Sequence, residues 1–500
     1  MCIRDRTKDS SKNTLKASLP RGLRDIKNSE LSLIKGLTSK IIPVYESYGF
    51  EELSTPSFEY TSALGKFLPD SDRPNAGVFS FQDDDEKWLS LRYDLTSPLA
   101  RYVAENYDKI TKPYKRYQLG NVWRNEKPGP GRYREFLQLD ADIIGSISYG
   151  VDAELIMLSA DSMSSLGLSD ENYNIRVSSR KLLDAILELV SDSEDIDEVR
   201  RLTILRAIDK LDRVGIDGVQ RLLSEGRKDE SGDYTIGARL QKDSISKILD
   251  FISIDSESRD GFLSQAVELV GKNDLGQSAI EELEEINKIL DKLNYNKSVV
   301  FDSSIVRGLE YYTGVIFEAN LVSTDNEKDL PIIGSVGGGG RYDKLISRFR
   351  RDEVGASGFS IGISRLCTVM QMMDFEILDE FYGPIIILNM DKDYEYSYYQ
   401  MAQELRASGI KAEVYLGMAG MKAQMKYADK KNSPLVIIEG TVEREKGIVT
   451  IKNLIKGKEV SATIGSRDNW IKNNEIQFEV DRNEVVREIS QILKINITRI

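Results

Sequence analysis

The stretch Tyr117–Gly145, YQLGNVWRNEKPGPGRYREFLQLDADIIG, constrains the fold more than any other part of the chain. Tyr117, Leu119 and Val122 among polar neighbours describe a half-buried strand. Lys127-Pro128-Gly129-Pro130-Gly131 then interrupts regular structure. Phe136, Leu137, Leu139 and Ile143-Ile144 resume strand chemistry. The stretch therefore predicts a hairpin with a rigid tip, with Arg124, Arg132 and Arg134 at the loop and its shoulders and Glu126 and Glu135 among them. A guanidinium donates two parallel hydrogen bonds, which suits phosphate oxygens. Such a hairpin is either a clamp for a polyphosphate or a solvated, salt-bridged loop.

At 500 residues the chain is too long for one core and predicts two to four domains. With 40% hydrophobic and 30% charged residues it has the balance of a soluble globular protein. No apolar run approaches the ~20 residues that span a bilayer. Cys2 and Cys367 give neither a disulfide framework nor metal-ligand spacing, so no zinc is expected and a reducing cytoplasm is the natural setting. The net charge of −13 argues against a surface that coats nucleic acid generally, although the stretch from Pro384 onward is relatively basic. The chain contains 0 histidines. That excludes His-based triads, HExxH zinc sites and His-centred acid–base catalysis, leaving arginines, carboxylates, tyrosines, backbone amides and bound ions.

The segment RNEKPGPGRYREFLQLDADIIG closely resembles motif 2 of the class II aminoacyl-tRNA synthetases, in the form found in the histidyl-tRNA synthetase family. Other stretches are similar to the remaining motifs of that family, in the expected order. Leu31, Ile34, Leu37, Ile41 and Ile42 fall on one helical face, with Pro43 expected to kink its end, and Tyr48–Glu59 follows. This resembles motif 1, which implies a homodimer interface. Leu91-Arg92-Tyr93-Asp94-Leu95-Thr96 reads as a strand ending in a carboxylate and a hydroxyl, and the resemblance implies that Asp94 and Thr96 contact the amino group of a bound amino acid. Many family members carry Glu where Asp94 stands. Ile305–Glu318, with RGLEYYTG at its centre, resembles the first histidine-specific motif, with Glu310 in place of its usual Asp. Gly337-Gly338-Gly339-Gly340-Arg341-Tyr342-Asp343 resembles the second; its glycines permit close approach of backbone to a ligand, and it is no P-loop because no Lys-Ser/Thr follows. Ala356–Leu366 reads as a strand running into a helix and resembles motif 3.

The fold class expected is α/β (α+β): an antiparallel class II catalytic sheet with a helical insertion, followed by a C-terminal α/β anticodon-binding domain. The boundaries expected are a disordered or non-native leader at 1–18, a first catalytic part at 19–189, the insertion at 190–296, a second catalytic part at 297–378, and the last domain at 379–500. In the insertion, Ile204, Ile208 and Leu211, then Ile280, Leu283, Ile286, Leu290 and Leu293, recur at helical spacing. In the last domain strands alternate with helices. One of its helices, Gly420–Lys431, carries Lys422, Lys426, Lys430 and Lys431 largely on one side, a face for tRNA or for solvent.

The resemblance implies ATP-dependent ligation of L-histidine to tRNA(His) through a histidyl-adenylate, with Mg²⁺ accompanying ATP. It places Arg124 and Arg307 at the α-phosphate and carboxylate, Arg132 and Arg365 at the distal phosphates, Phe136 on adenine, and Glu126 against the nucleotide directly or through Mg²⁺. It places Asp94, Thr96 and Gln138 at the amino group, and Asp142 with Tyr311 or Tyr312 at the imidazole. A chain that charges tRNA with histidine and contains none can be made when histidine is scarce. The rival reading is a non-catalytic, synthetase-like regulatory subunit of histidine biosynthesis; the presence of Arg124, Arg307, Arg365 and a C-terminal domain opposes it.

Overall fold

The computed structural model describes residues 16–64, 77–128, 133–191, 195–228, 232, 234–254, 258–308, 311–322, 334–373, 382–417, 419–457 and 476–493. The chain divides into two compact units, Met1–Leu378 and Asp379–Ile500.

The strands of the first unit are β1 (Glu51–Glu52), β2 (Phe58–Tyr60), β3 (Ser80–Gln82), β4 (Trp88–Leu91), β5 (Tyr114–Trp123), β6 (Glu135–Ile144), β7 (Tyr173–Ser179), β8 (Gly226–Lys228), β9 (Tyr234–Ile236), β10 (Val299–Phe301), β11 (Val315–Leu321), β12 (Gly337–Arg341) and β13 (Ala356–Gly362). Eight of them form one sheet in the order β1-β5-β6-β13-β12-β11-β7-β10. The six central strands pair antiparallel, and only the outermost, β1 and β10, join parallel. The hairpin expected at Tyr117–Gly145 is thus β5 and β6, paired from Tyr114↔Ile144 to Trp123↔Glu135.

Alternation along these strands sorts the sheet into two faces. Leu139, Ala141 and Ile143 of β6 enter the main core with Ile175, Val177, Phe317, Phe359 and Ile361. Against that face pack the helices Asn28–Ser47, Tyr149–Ser165 and Ile363–Met372, which bury Leu37, Ile41, Leu155, Ile156, Leu366 and Met370. Pro43 lies inside the first helix, which continues to Ser47 rather than ending at the proline. Gln138, Asp140 and Asp142 point from β6 to the opposite face. That choice is forced by period two: the odd positions are apolar, so the polar set must leave the core.

The insertion is helical, with segments Glu198–Ile208, Leu211–Leu223, Lys242–Ile252, Arg259–Val270 and Asp274–Lys292. Side-chain caps open several of them: Asp197 accepts from Arg200 N, Ser258 from Gly261 N, and Asn273 from Gly276 N. A short hairpin, β8–β9, interrupts the helices; helical spacing alone carries no sign of it.

The second unit is a sheet in the order β15-β14-β16-β17-β18, formed by β14 (Ile385–Ile387), β15 (Ala412–Val414), β16 (Leu435–Ile438), β17 (Ile448–Asn453) and β18 (Gln477–Asp481). β14 runs parallel to β15 and β16, and β17 and β18 are antiparallel additions. One face buries Ile385 and Ile387 with Tyr398 and Leu405; the other buries Ile386 and Leu388 with Ala428. On the helix Met421–Lys430, Gln424 and Ala428 face inward while Lys422, Lys426 and Lys430 are exposed. Among the described residues no helix is long and apolar enough to cross a membrane.

Candidate active site

The register of the large sheet sets Gln118, Asp140, Ser360, Gly338, Glu318 and Arg176 in one row across β5, β6, β13, β12, β11 and β7. Two residues along, the next row reads Arg116, Asp142, Gly358 and Gly340. On the other side lie Gly120, Gln138 and Gly362. Glycines therefore recur on this face and leave a trough where side chains would stand. The run Gly337–Gly340 is an extended strand held on both edges. A Cβ on Gly358 would fall 2.1 Å from Asp142 Oδ1, and one on Gly338 2.5 Å from Arg307 Nη1.

At one end of the trough sits Asp142. It is buried, as is Arg116, whose Nη2 lies 3.0 Å from Asp142 Oδ2 and donates to Leu95 O at 2.9 Å. The Tyr342 hydroxyl donates to Asp142 Oδ1 in a short hydrogen bond. Burial pushes the Asp142 carboxyl above its ordinary range, against the pull of Arg116 and Tyr342. Tyr311 packs edge-on to Tyr312 and against Tyr342, and its hydroxyl is hydrogen-bonded to Thr96. Asp94 lies close by; its Oδ1 accepts from Ser97 N, in the first turn of the helix Thr96–Asn106, at 2.8 Å. Asp94 and Thr96 thus stand at a helix start rather than at the end of a strand, since β4 stops at Leu91.

Between the two ends, Gln138 Nε2 donates to Ser360 Oγ, which donates to Asp140. Gln138 Oε1 is buried and has no hydrogen-bond partner among the described residues. Burial, reinforced by Asp142, pushes the Asp140 carboxyl up to about 7. Tyr312 stands at the junction. Burial raises it to about 12, with Arg307 pulling it down and Asp140, Asp142 and Asp94 adding to the rise.

The other end is cationic. Arg307 Nε donates to Glu318 Oε2 at 2.6 Å, and its Nη2 bonds the Ser335 hydroxyl. Arg365 opens the helix that continues β13, and its Nη2 would lie 3.0 Å from a Cβ on Gly334, next to Ser335. The neighbouring Ser364 Oγ accepts from Leu137 N at 3.0 Å, which ties this turn to β6 beside Phe136. The Arg124 guanidinium lies 5.1 Å from the Phe136 ring and 4.4 Å from the Tyr93 ring. The Tyr93 hydroxyl donates to Glu126 Oε1 at 2.8 Å, and Glu126 is otherwise exposed. Arg132, Leu309 and Glu310 lie outside the described residues.

The sequence had marked Gln138 and Asp142 but not Asp140, Arg116, Tyr342, Ser360 or Glu318. The signal available was alternation: Gln138, Asp140 and Asp142 alternate with the apolar Leu137, Leu139, Ala141 and Ile143.

A family model for histidyl-tRNA synthetase matches residues 22–366, and one for an anticodon-binding domain matches 384–491. The chain belongs to the histidyl-tRNA synthetase family. A histidine–tRNA ligase of Bartonella bacilliformis is 50% identical over 482 residues, covering 96% of this chain and 97% of that protein. One of Brucella abortus is 47% identical over 483 residues, covering 96% of each. Among solved structures, a histidyl-tRNA synthetase from Nostoc sp. PCC 7120 superposes with a TM-score of 0.71 at 25% identity, over 96% of this chain and 100% of that one. The family explains the architecture: a trough on an antiparallel sheet, basic at one end and lined with tyrosines and a buried carboxylate at the other.

Proposed function

We propose that this trough attaches histidine to its tRNA in two steps, as the family's activity requires. The histidine carboxylate attacks the α-phosphorus of ATP, forming histidyl-adenylate and releasing pyrophosphate. A ribose hydroxyl of the tRNA's terminal adenosine then attacks the activated carbonyl and AMP leaves. The first nucleophile is already an anion, so the protein needs no general base. Its task is to position the reactants and to supply positive charge where the transition state gathers negative charge. A chain without histidine can do both.

What supports the reading most is one polar sheet face shared by two chemistries. Arg307 and Arg124 would meet the α-phosphate and carboxylate; Arg365, with Arg132, would hold the distal phosphates; Phe136 would stack on adenine. Magnesium would arrive with ATP, and the exposed Glu126 carboxylate suits a hard cation; bound there, the ion would offset phosphate charge. The unpartnered Gln138 Oε1 suits the α-ammonium, with Asp94 and Thr96 beside it. Asp142 retains acceptor capacity beyond Tyr342 and Arg116, which fits an imidazole N–H, with Tyr311 or Tyr312 meeting the other side. A site built around such a donor rejects amino acids that lack it.

The test is ATP–pyrophosphate exchange with each amino acid in turn. Histidine alone should support exchange, and Arg307→Ala should lower it by about 10²–10³-fold, the scale of losing one preorganised charge donor, with the fold retained. Exchange near the wild-type rate in that variant would refute the role.

The functional form is a homodimer in the cytoplasm, where ATP and tRNA are found. The small sheet β2-β4-β3 supports the dimer: its register puts Phe58, Tyr60 and Phe81, each between 43% and 51% exposed, on one aromatic face. Sedimentation at micromolar concentration should give twice the mass of one chain; the mass of a single chain would overturn it.

A further inference from the structure

Arg307 is held by a carboxylate that is itself shared. Glu318 Oε2 takes the Nε of Arg307, and its Oε1 accepts from Arg176 Nη1 at 3.2 Å. Glu318 and Arg176 are direct partners across β11 and β7, so sheet register fixes their meeting. Both are largely buried, at 12% and 16% side-chain exposure, which protects the pair from screening by solvent.

Arg176 has no freedom to move away. Its Nε donates to Asp302 Oδ2 at 2.6 Å, its Nη2 to Ser304 Oγ at 2.7 Å, and its Nη1 is divided between Glu318 and Asp212 of the insertion, at 3.3 Å. Asp302 is braced in turn by Ser304, whose N and Oγ both donate to its Oδ1. Although burial opposes it, the Arg176 guanidinium holds the Asp302 carboxyl below its ordinary range. A cavity of about 260 Å³ opens beside this cluster, lined by Ile208, Asp209, Val306, Arg307 and Glu318 among others, so Arg307 has room to swing.

A carboxylate facing a single guanidinium tends to take two of its nitrogens in a fork. If Glu318 did so, it would draw an Nη of Arg307 back toward β11. With Oε1 occupied by Arg176, Glu318 engages Nε alone, Nη2 reaches Ser335, and Nη1 lies over Gly338 at the trough floor. We infer that Arg176 is a positioning residue for adenylate formation: by occupying one oxygen of Glu318 it keeps the Nη edge of Arg307 turned to the trough. This rests on the reading that Arg307 meets the α-phosphate.

The experiment is steady-state pyrophosphate exchange on the full chain, with kcat and KM separated. Arg176→Gln should lower kcat about tenfold to a hundredfold, the scale of a misaligned catalytic group, with KM for ATP and histidine within about threefold. Arg176→Lys, which keeps a cation against Glu318, should recover part of the rate. Glu318→Gln carries no charge with which to capture Arg307, so adding Arg176→Gln to it should cost less than about twofold, the non-additivity of residues acting through one another. A merely structural role would lower the rate equally in both backgrounds, and that result would overturn the inference, as would a wild-type kcat in Arg176→Gln beside an inactive Arg307→Ala. An active Arg307→Ala would instead fault the reading of Arg307, and the inference would fall with it.

Discussion

Without histidine, the chain lacks the one side chain that ordinarily changes charge between pH 5 and 8, and Asp140 takes that place through burial. Its carboxyl is pushed up to about 7 by burial first and by Asp142 next, while Arg116 and Ser360 pull it down and Asp94 adds to the rise. The folded state therefore keeps a proton that the unfolded chain releases near 3.8. Between these values the unfolded state binds fewer protons, so this group's contribution to stability is present below the window and is lost as the pH rises through it. Asp140→Asn escapes that loss. In urea unfolding the variant should gain on the wild type more at pH 7.5 than at pH 5; an equal difference at both would show that Asp140 titrates normally. How such residues could be foreseen depended on where their partners lie. Asp142 was legible because the family resemblance implies a histidine ligand at that position. Arg116 was not, since an arginine in a strand usually faces solvent, and its burial follows from register with Asp142 across β5 and β6. The pairing also changes what a mutation reports: Asp142→Ala would strand a buried guanidinium at about 3–5 kcal/mol, so lost activity in that variant would not by itself indict a histidine contact.

At the scale of elements, the glycine strand β12 shows most clearly what local pattern leaves out. Glycine is a poor strand former because it packs no side chain and loses much backbone freedom, so the four-glycine run read only as a place of close approach. It is extended because β11 and β13 hold it on both edges, a tertiary constraint that no window of sequence contains. Alternation gives its glycines different tasks. Gly338 faces the trough, where a Cβ would meet the Arg307 guanidinium, the far end of a flexible side chain. Gly339 faces the core, where a Cβ would fall 2.2 Å from Gly358 O and 2.7 Å from Phe317 Cζ. Gly338→Ala should therefore fold nearly as well as wild type and lose exchange activity by about tenfold or more, through a displaced Arg307. Gly339→Ala must shift backbone or the stacked Phe317–Phe359 pair and should cost about 1–3 kcal/mol of stability. Thermal unfolding and exchange on both variants would decide; a destabilised Gly338→Ala beside a stable Gly339→Ala would reverse the faces assigned to this strand. The hairpin β5–β6 lies at the other extreme. Its turn residues, alternation and apolar content all agreed, so its two strands and the break between them could be read locally.

For the whole molecule, the class of both units was legible from the order of motifs and from the switch to alternating strands and helices after Pro384. The antiparallel additions β17 and β18 were harder to see, because a strand's direction depends on its partner and not on its own residues. Each unit has its own core. The buried clusters around Ile41, Leu139 and Phe359 and around Leu99 and Tyr342 draw only on the first unit, and those around Ile387 and Val436 only on the second. Every described residue of the candidate active site also lies in the first unit, while the anticodon-binding match begins at residue 384. Two separate cores predict that a chain ended after Leu378 folds without the second unit, because no apolar cluster among the described residues loses its lining. That shortened protein should keep pyrophosphate exchange within about threefold of the full chain, since adenylate formation involves no tRNA. Its charging of tRNA should fall by at least about tenfold, the equivalent of ~1.4 kcal/mol of lost contact. If the shortened protein folds but loses exchange, the second unit takes part in activating the amino acid. If it charges tRNA as well as the full chain, the exposed lysine face of Met421–Lys430 is a solvated surface and nothing more.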